Sequence, residues 1–205
     1  MTLLISILAA IIIGILLFRL YLGNQAKKLS EDIAMSADIA TEIDNTYQGK
    51  FINESDKRRI LSSYEGDYQR AVKLSLWLDR FHVNATDEIV SLITSYESFN
   101  SIVERHNRDV ENETLAKNKT FFDTCLKYPL DQQQRRAIVA DEDNVLVVSS
   151  AGSGKTSSIV GKVKYLTEVK LVAPENILLI SYTHKAAAEL TERAGAKGLR
   201  GYTFH

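Results

Sequence analysis

NVLVVSSAGSGKT, running from Asn144 to Thr156, carries a strand, a turn and a helix start in one short stretch. Val145-Leu146-Val147-Val148 is a β-branched apolar run of the length expected for a buried strand. Small residues follow, and Gly154-Lys155-Thr156 stands where a helix from about Lys155 should begin. Backbone N–H groups of such a turn wrap phosphates, a lysine neutralises them, and a hydroxyl takes a Mg²⁺ coordination position. The helix start adds the positive end of its dipole. The nucleotide-binding candidates are therefore Ser150, Ala151, Gly152, Ser153, Gly154, Lys155, Thr156 and Ser157. Lys155 and Thr156 are the catalytic pair, and Thr156 is the Mg²⁺ ligand. One position departs from the strict pattern: Ser149 stands where it has glycine, a small residue that still permits the turn.

The 205 residues are 45% hydrophobic and 25% charged with a formal net charge of −1, which suits one to two globular domains. A balance so near zero gives no global signature of nucleic-acid binding, so that reading has to come from local motifs. Cys125 is the single cysteine, which excludes an intramolecular disulfide. Both prolines, Pro129 and Pro174, lie late in the chain, and the preceding sequence is permissive for long helices.

Thr2 to Phe18 is uncharged and dominated by Leu and Ile. With Arg19 snorkelling and Leu20-Tyr21-Leu22 beyond it, the apolar segment reaches about 20 residues, the thickness of a bilayer core. A cleaved signal peptide would need a basic leader and a small-x-small cleavage site, and neither is present. Residues 1–23 are thus expected to be a single-pass transmembrane anchor. Arg19, Lys27 and Lys28 follow the segment and no Lys or Arg precedes it, so the N-terminus is expected outside and the rest in the cytoplasm, at the inner membrane. On that side the sequons at Asn53, Asn84, Asn112 and Asn118 carry no glycan.

Residues 24–128 are charged and rich in helix formers. Leu29, Ile33, Ile39 and Ile43 share a thin helical face. Ile60, Tyr64, Tyr68, Ala71, Leu74, Leu78 and Phe81 form a fuller seam on a helix that Ser55 is expected to cap. After a connection at 82–85, Thr86 caps a second helix with Ile89, Ile93, Tyr96, Phe99 and Val103 as the matching stripe. Two such helices predict an antiparallel hairpin. It serves either as a stalk or as an accessory domain that touches a partner protein or nucleic acid. Residues 106–120 read as a solvated helix.

From Pro129 the organisation switches, and residues 129–205 predict a parallel α/β unit. Asp131 caps a helix over QQQRRAIVA, the strand at 145–148 and a helix at 155–169 follow, and Ile177 to Ser181 is a second strand. A helix through Lys185 to Leu190 stops near Gly195 or Gly198, and Tyr202-Thr203-Phe204 begins a third strand. Strands alternating with helices imply a parallel sheet with right-handed crossovers. Hydroxyls, helix-start amides and Lys185 then gather at the C-terminal sheet edge, where such folds bind ligands. Those groups suit a phosphodiester backbone, and Phe204 suits base stacking.

The motif order from Leu130 onward resembles the first motor domain of UvrD/Rep-type superfamily 1 DNA helicases. Leu130-Asp131 with Gln134, Ala137 and Ile138 is similar to the adenine-reading motif of that family, and Ser150 to Thr156 to its phosphate loop. Ser181-Tyr182-Thr183-His184-Lys185-Ala186-Ala187-Ala188-Glu189 resembles the next motif, with Ser181 and His184 in place of the usual threonine and asparagine. Thr203-Phe204-His205 is similar to an element on the DNA track, and the helical segment before Leu130 resembles that of DNA helicase IV-type members. The resemblance implies a RecA-like P-loop NTPase domain using ATP and Mg²⁺, with Gln134 reading adenine. It implies DNA contacts at Thr183, Lys185, Thr203, Phe204 and His205, and 3′-to-5′ movement along single strands of a duplex being opened.

The chain ends at His205 as the third strand starts, before the Asp-Glu pair and second motor domain that such helicases use. The expectation is the N-terminal portion of a longer membrane-anchored helicase, with these 205 residues alone inactive. The rival readings are a membrane-tethered helical interaction module with a vestigial phosphate loop, and another kind of P-loop NTPase.

Overall fold

The computed structural model describes residues 1–34, 38–150 and 152–204. They are mostly helical with one small parallel sheet. The chain forms two compact units, Met1–Asn107 and Arg108–His205.

In the first unit α1 (Thr2–Ala34) is a single helix of two halves. Residues 1–21 are all exposed and, up to Arg19, uncharged on every face. From Leu22 the helix becomes amphipathic, and Leu22, Ala26, Leu29 and Ile33 bury one stripe. The uniform half is long and apolar enough to cross a membrane. After α2 (Ile39–Thr46), α3 (Glu54–Arg80) buries Ile60, Tyr64, Ala71 and Leu78 against Ile89 and Leu92 of α4 (Asp87–Glu97) and the α1 stripe. Ile39 and Ile43 complete that core, and Tyr68 stacks on Tyr96 with centroids 4.0 Å apart. Part of the helical face expected over 26–45 falls on residues 35–37, outside the described ones.

The cap of α3 is Asn53, whose side chain accepts from the Asp56 N–H at 2.8 Å, and not Ser55, which lies inside the first turn. At the other end His82 adopts φ +53. Its N–H bonds the Asp79 carbonyl and that of Val83 the Leu78 carbonyl, the double closure of a Schellman motif. The single helix expected after Thr86 is two, α4 and α5 (Phe99–Lys117), divided at Ser98. Asn107, expected in a solvated stretch, is buried: its amide accepts from Ile52 N–H at 2.8 Å and donates to Ile52 C=O at 2.9 Å.

The second unit holds α6 (Lys119–Thr124), α7 (Gln132–Val139), α8 (Lys155–Lys164), β1 (Leu178–Ser181), α9 (His184–Ala194) and β2 (Arg200–Thr203). A π-turn at Tyr165–Val169 extends α8, placing Tyr165 beside Phe121 and Phe122. β1 and β2 pair in parallel with Leu178 opposite Arg200 and Ser181 opposite Thr203, as the strand–helix–strand pattern predicts. Val160, Val163, Leu179, Leu190, Ala194 and Leu199 form the core that joins α8, β1 and α9. Gly195 at φ +66 ends α9.

The strand expected at 145–148 is a correction. Its exposure alternates from Val145 to Val148 as 46, 88, 45 and 84%, so the run is extended with one half-covered face. It makes no ladder among the described residues. A cavity of about 330 Å³ is lined by Val145 and Val147 together with Leu178 and Leu179 of β1. An apolar β-branched run favours extended backbone, but only a neighbour within hydrogen-bonding reach makes it a strand.

Candidate phosphate-binding site

The loop reaches α8 through two glycines in the left-handed region, Gly152 at φ +80 and Gly154 at φ +86. Gly154 is the N-cap, and its carbonyl accepts the first helical bond from the Ser158 N–H at 2.9 Å. The N–H groups of Lys155, Thr156 and Ser157 therefore have no carbonyl within the helix to bond. They form an anion-facing start to α8. Ser153 closes the turn: its N–H and hydroxyl both donate to Ser150 C=O, at 3.4 and 2.8 Å.

Lys155 folds across the same loop. Its ammonium donates to the carbonyls of Ser149 and Ser150, both at 2.7 Å. Those two bonds occupy two of its three donors and hold the charge over the turn. Thr156 and Ser157 are half-buried in the first turn of α8. Ser149 Oγ is buried with no hydrogen-bond partner among the described residues. Ala151 lies outside the described residues.

Gln134 is brought against this loop from α7. Asp131 and Gln134 form a capping box: Asp131 Oδ1 accepts from Gln134 N–H at 2.9 Å, and Gln134 Oε1 accepts from Asp131 N–H at 3.0 Å. The remaining amide group, Nε2, donates to Ser153 C=O at 3.4 Å. The fit is close, because a Cβ added at Gly154 would fall 2.4 Å from that Nε2. Two residues that sequence reasoning missed hold the helices in place. Lys162 of α8 donates to the carbonyls of Ile138 and Ala140 at the end of α7, at 2.7 and 2.9 Å. Burial of that ammonium lowers its pKa from the usual lysine value, against the attraction of Asp141. Arg135 pairs with Asp123 at 2.6 Å and donates to Leu130 C=O at 2.7 Å, fixing the start of α7. A lysine and an arginine spaced on ordinary amphipathic helices give no signal of these roles.

The second group of candidates gathers at the C-terminal ends of β1 and β2. Thr183 caps α9, its hydroxyl accepting from Ala186 N–H at 3.2 Å. Lys185 is exposed in the first turn, and Thr203 is half-buried opposite Ser181. Phe204 is 74% exposed, and so is Tyr182 at 80%, a second aromatic at the same edge that sequence reasoning left out. His205 lies outside the described residues.

The donor set suits nucleotide phosphates: helix-start amides, a positioned lysine and a hydroxyl at the first turn. Among the described residues no cluster of three His, Cys, Asp or Glu could hold a metal. A Mg²⁺ here would be held by Thr156 together with phosphate oxygens and water, as that ion prefers.

The UvrD/REP helicase N-terminal domain family matches residues 130–205. That segment is therefore similar to the N-terminal domain of UvrD/REP helicases. DNA helicase IV of Escherichia coli strain K12 is 38% identical over 105 residues, covering 49% of this chain and 15% of that protein. DNA helicase II of the same organism is 41% identical over 66 residues, 32% of this chain and 9% of that protein. The helicase IV similarity is longer than 130–205, so part of it precedes Leu130. The chain thus spans about one seventh or less of the length of these relatives. In the UvrD/REP segment, the phosphate loop, the Gln134 box and the β1–β2 edge fall within one compact unit.

Proposed function

We propose that this chain supplies the first ATP-binding elements of a RecA-like motor domain in an ATP-dependent DNA helicase that moves 3′ to 5′ on single strands. The observation that carries the reading is Lys155 held over a two-glycine turn at the unbonded start of α8. Lys155 neutralises the β- and γ-phosphates, the amides of Gly152 to Ser157 cradle them, and Thr156 ligates Mg²⁺. Gln134 borders the adenine, its Oε1 shared with the Asp131 N–H. Thr183, Lys185, Thr203, Phe204 and His205 meet the DNA backbone and a base, with Tyr182 added as a stacking partner. The UvrD/REP match and the names of the two relatives support the activity; the donor set supports the nucleotide.

The same reading makes residues 2–22 a membrane anchor, with the N-terminus outside and the ATP site in the cytoplasm. Its support is the uniform exposure and apolar character of that half of α1 and the basic residues that follow it.

The test is Mg²⁺-dependent binding of a fluorescent ATP analogue to the chain, and single-strand-stimulated ATP hydrolysis by the full-length protein that carries it. Lys155→Ala is expected to weaken binding at least about tenfold and abolish turnover, since it removes a charge-assisted contact to phosphate. Unchanged binding in that variant, or hydrolysis indifferent to single-stranded DNA, overturns the assignment.

A further inference from the structure

An open groove of about 500 Å³ runs between α1 and α3, apolar at one end and cationic at the other. Phe18, Leu22 and Trp77 line the apolar end; Lys28, Arg70 and Lys73, with Asp32, line the other. Arg70 sits between two carboxylates, Asp67 at 2.5 Å and Asp32 at 3.5 Å. Lys28 and Lys73 have no ion pair among the described residues, and the groove lining carries the three cations Lys28, Arg70 and Lys73 against the one carboxylate of Asp32.

The position of the groove along α1 indicates what fills it. Thr2 to Leu22 covers roughly 30 Å of helix, the depth of a bilayer core. Arg19, near the end of that span, donates to His82 C=O at 3.0 Å, which fixes the α3–α4 corner at the same level. Phe18 packs on Phe81 with centroids 4.8 Å apart and on Trp77 at 6.1 Å, an aromatic cluster at the depth where such rings settle in membranes. Lys28 lies six residues beyond Leu22, roughly 9 Å further along the axis, in the headgroup layer. Lys73 is one turn of α3 from Trp77. Charge and apolar surface are thus stacked in the order that a phospholipid presents them. A soluble phosphate would meet the lysines and leave the half-exposed Trp77 uncovered.

We propose that this groove binds one anionic phospholipid of the membrane that α1 enters, its phosphate between Lys28 and Lys73 and an acyl chain along Phe18, Leu22 and Trp77. The proposal rests on the anchor reading above, and adds a specific lipid contact on the cytoplasmic, anionic leaflet.

Trp77 is the one tryptophan of the chain and stands in the groove, so its fluorescence reports the occupant directly. The intact chain is reconstituted in phosphatidylcholine vesicles containing a minor fraction of phosphatidylglycerol, with either lipid brominated in its acyl chains. Brominated phosphatidylglycerol is expected to quench Trp77 with an apparent preference of roughly tenfold over brominated phosphatidylcholine, from two unscreened lysines at the surface. Lys28→Gln combined with Lys73→Gln is expected to bring the two lipids to parity while quenching by phosphatidylcholine persists. Equal quenching in the unsubstituted protein, or a preference that survives the double substitution, overturns the lipid site. If the chain is alkali-extractable and neither lipid quenches, the anchor falls and the lipid site with it. If it resists alkali and shows no preference, the groove alone falls.

Discussion

Gln134 donates from Nε2 to the Ser153 carbonyl at 3.4 Å while its Oε1 accepts from Asp131 N–H at 3.0 Å, so one side chain both caps α7 and touches the phosphate loop. The two uses separate under substitution. Gln134→Glu keeps an acceptor for Asp131 and loses the donor to Ser153, so stability is expected to hold while binding of an ATP analogue falls. Gln134→Ala loses both, and urea unfolding is expected to show a loss of about 1 kcal/mol as well. Equal stability in all three proteins would remove the capping role.

Gly161 lies where α8 crosses α7. In an open helix Gly161→Ala would stabilise by about 1 kcal/mol. Here the added Cβ falls 2.7 Å from Ile138 Cδ1 and 3.1 Å from Leu130 Cδ1, both buried side chains. Overpacking of that kind costs roughly 1–3 kcal/mol, so a net loss is expected in urea or thermal unfolding.

Asn107 closes a loop onto α5 by bonding both backbone groups of Ile52, itself fully buried. Asn107→Ala strands a buried donor and a buried acceptor, and a loss of about 3 kcal/mol is expected in denaturant unfolding. Asn107→Asp keeps only the acceptor and is expected to fall between the two. A change in the midpoint no larger than that of an exposed asparagine would contradict the bidentate arrangement.

Tyr96 donates its hydroxyl to Glu65, and that bond, with burial of the ring and the Glu65 charge, pushes its pKa up to about 12. The folded value lies above the free tyrosine value of about 10, so the contact stabilises fully below that pH and is lost as pH rises through the folded value. A difference titration of phenolate absorbance between the protein and Tyr96→Phe is expected to show one tyrosine ionising near 12. An ionisation at the free value would show the bond to be absent in solution.

What the order of residues determined by itself is the set of features governed by nearest neighbours along the chain. The Asp131 cap, the α9 stop at Gly195, the turn glycines before Lys155 and the uniformly apolar start of α1 all follow from local sterics and hydrogen bonding. The UvrD/REP motifs were legible for the same reason: a phosphate loop is built from consecutive residues. The tertiary structure decided whatever depends on a partner distant in sequence. Val145 to Val148 has the composition of a strand but no ladder, Asn107 looks solvated yet is buried by Ile52, and Lys162 closes the end of α7 from another helix. The pairing of α1 with α3 that forms the groove is of the same kind. Pattern and propensity report what a segment can do alone; burial and pairing are set by what packs against it.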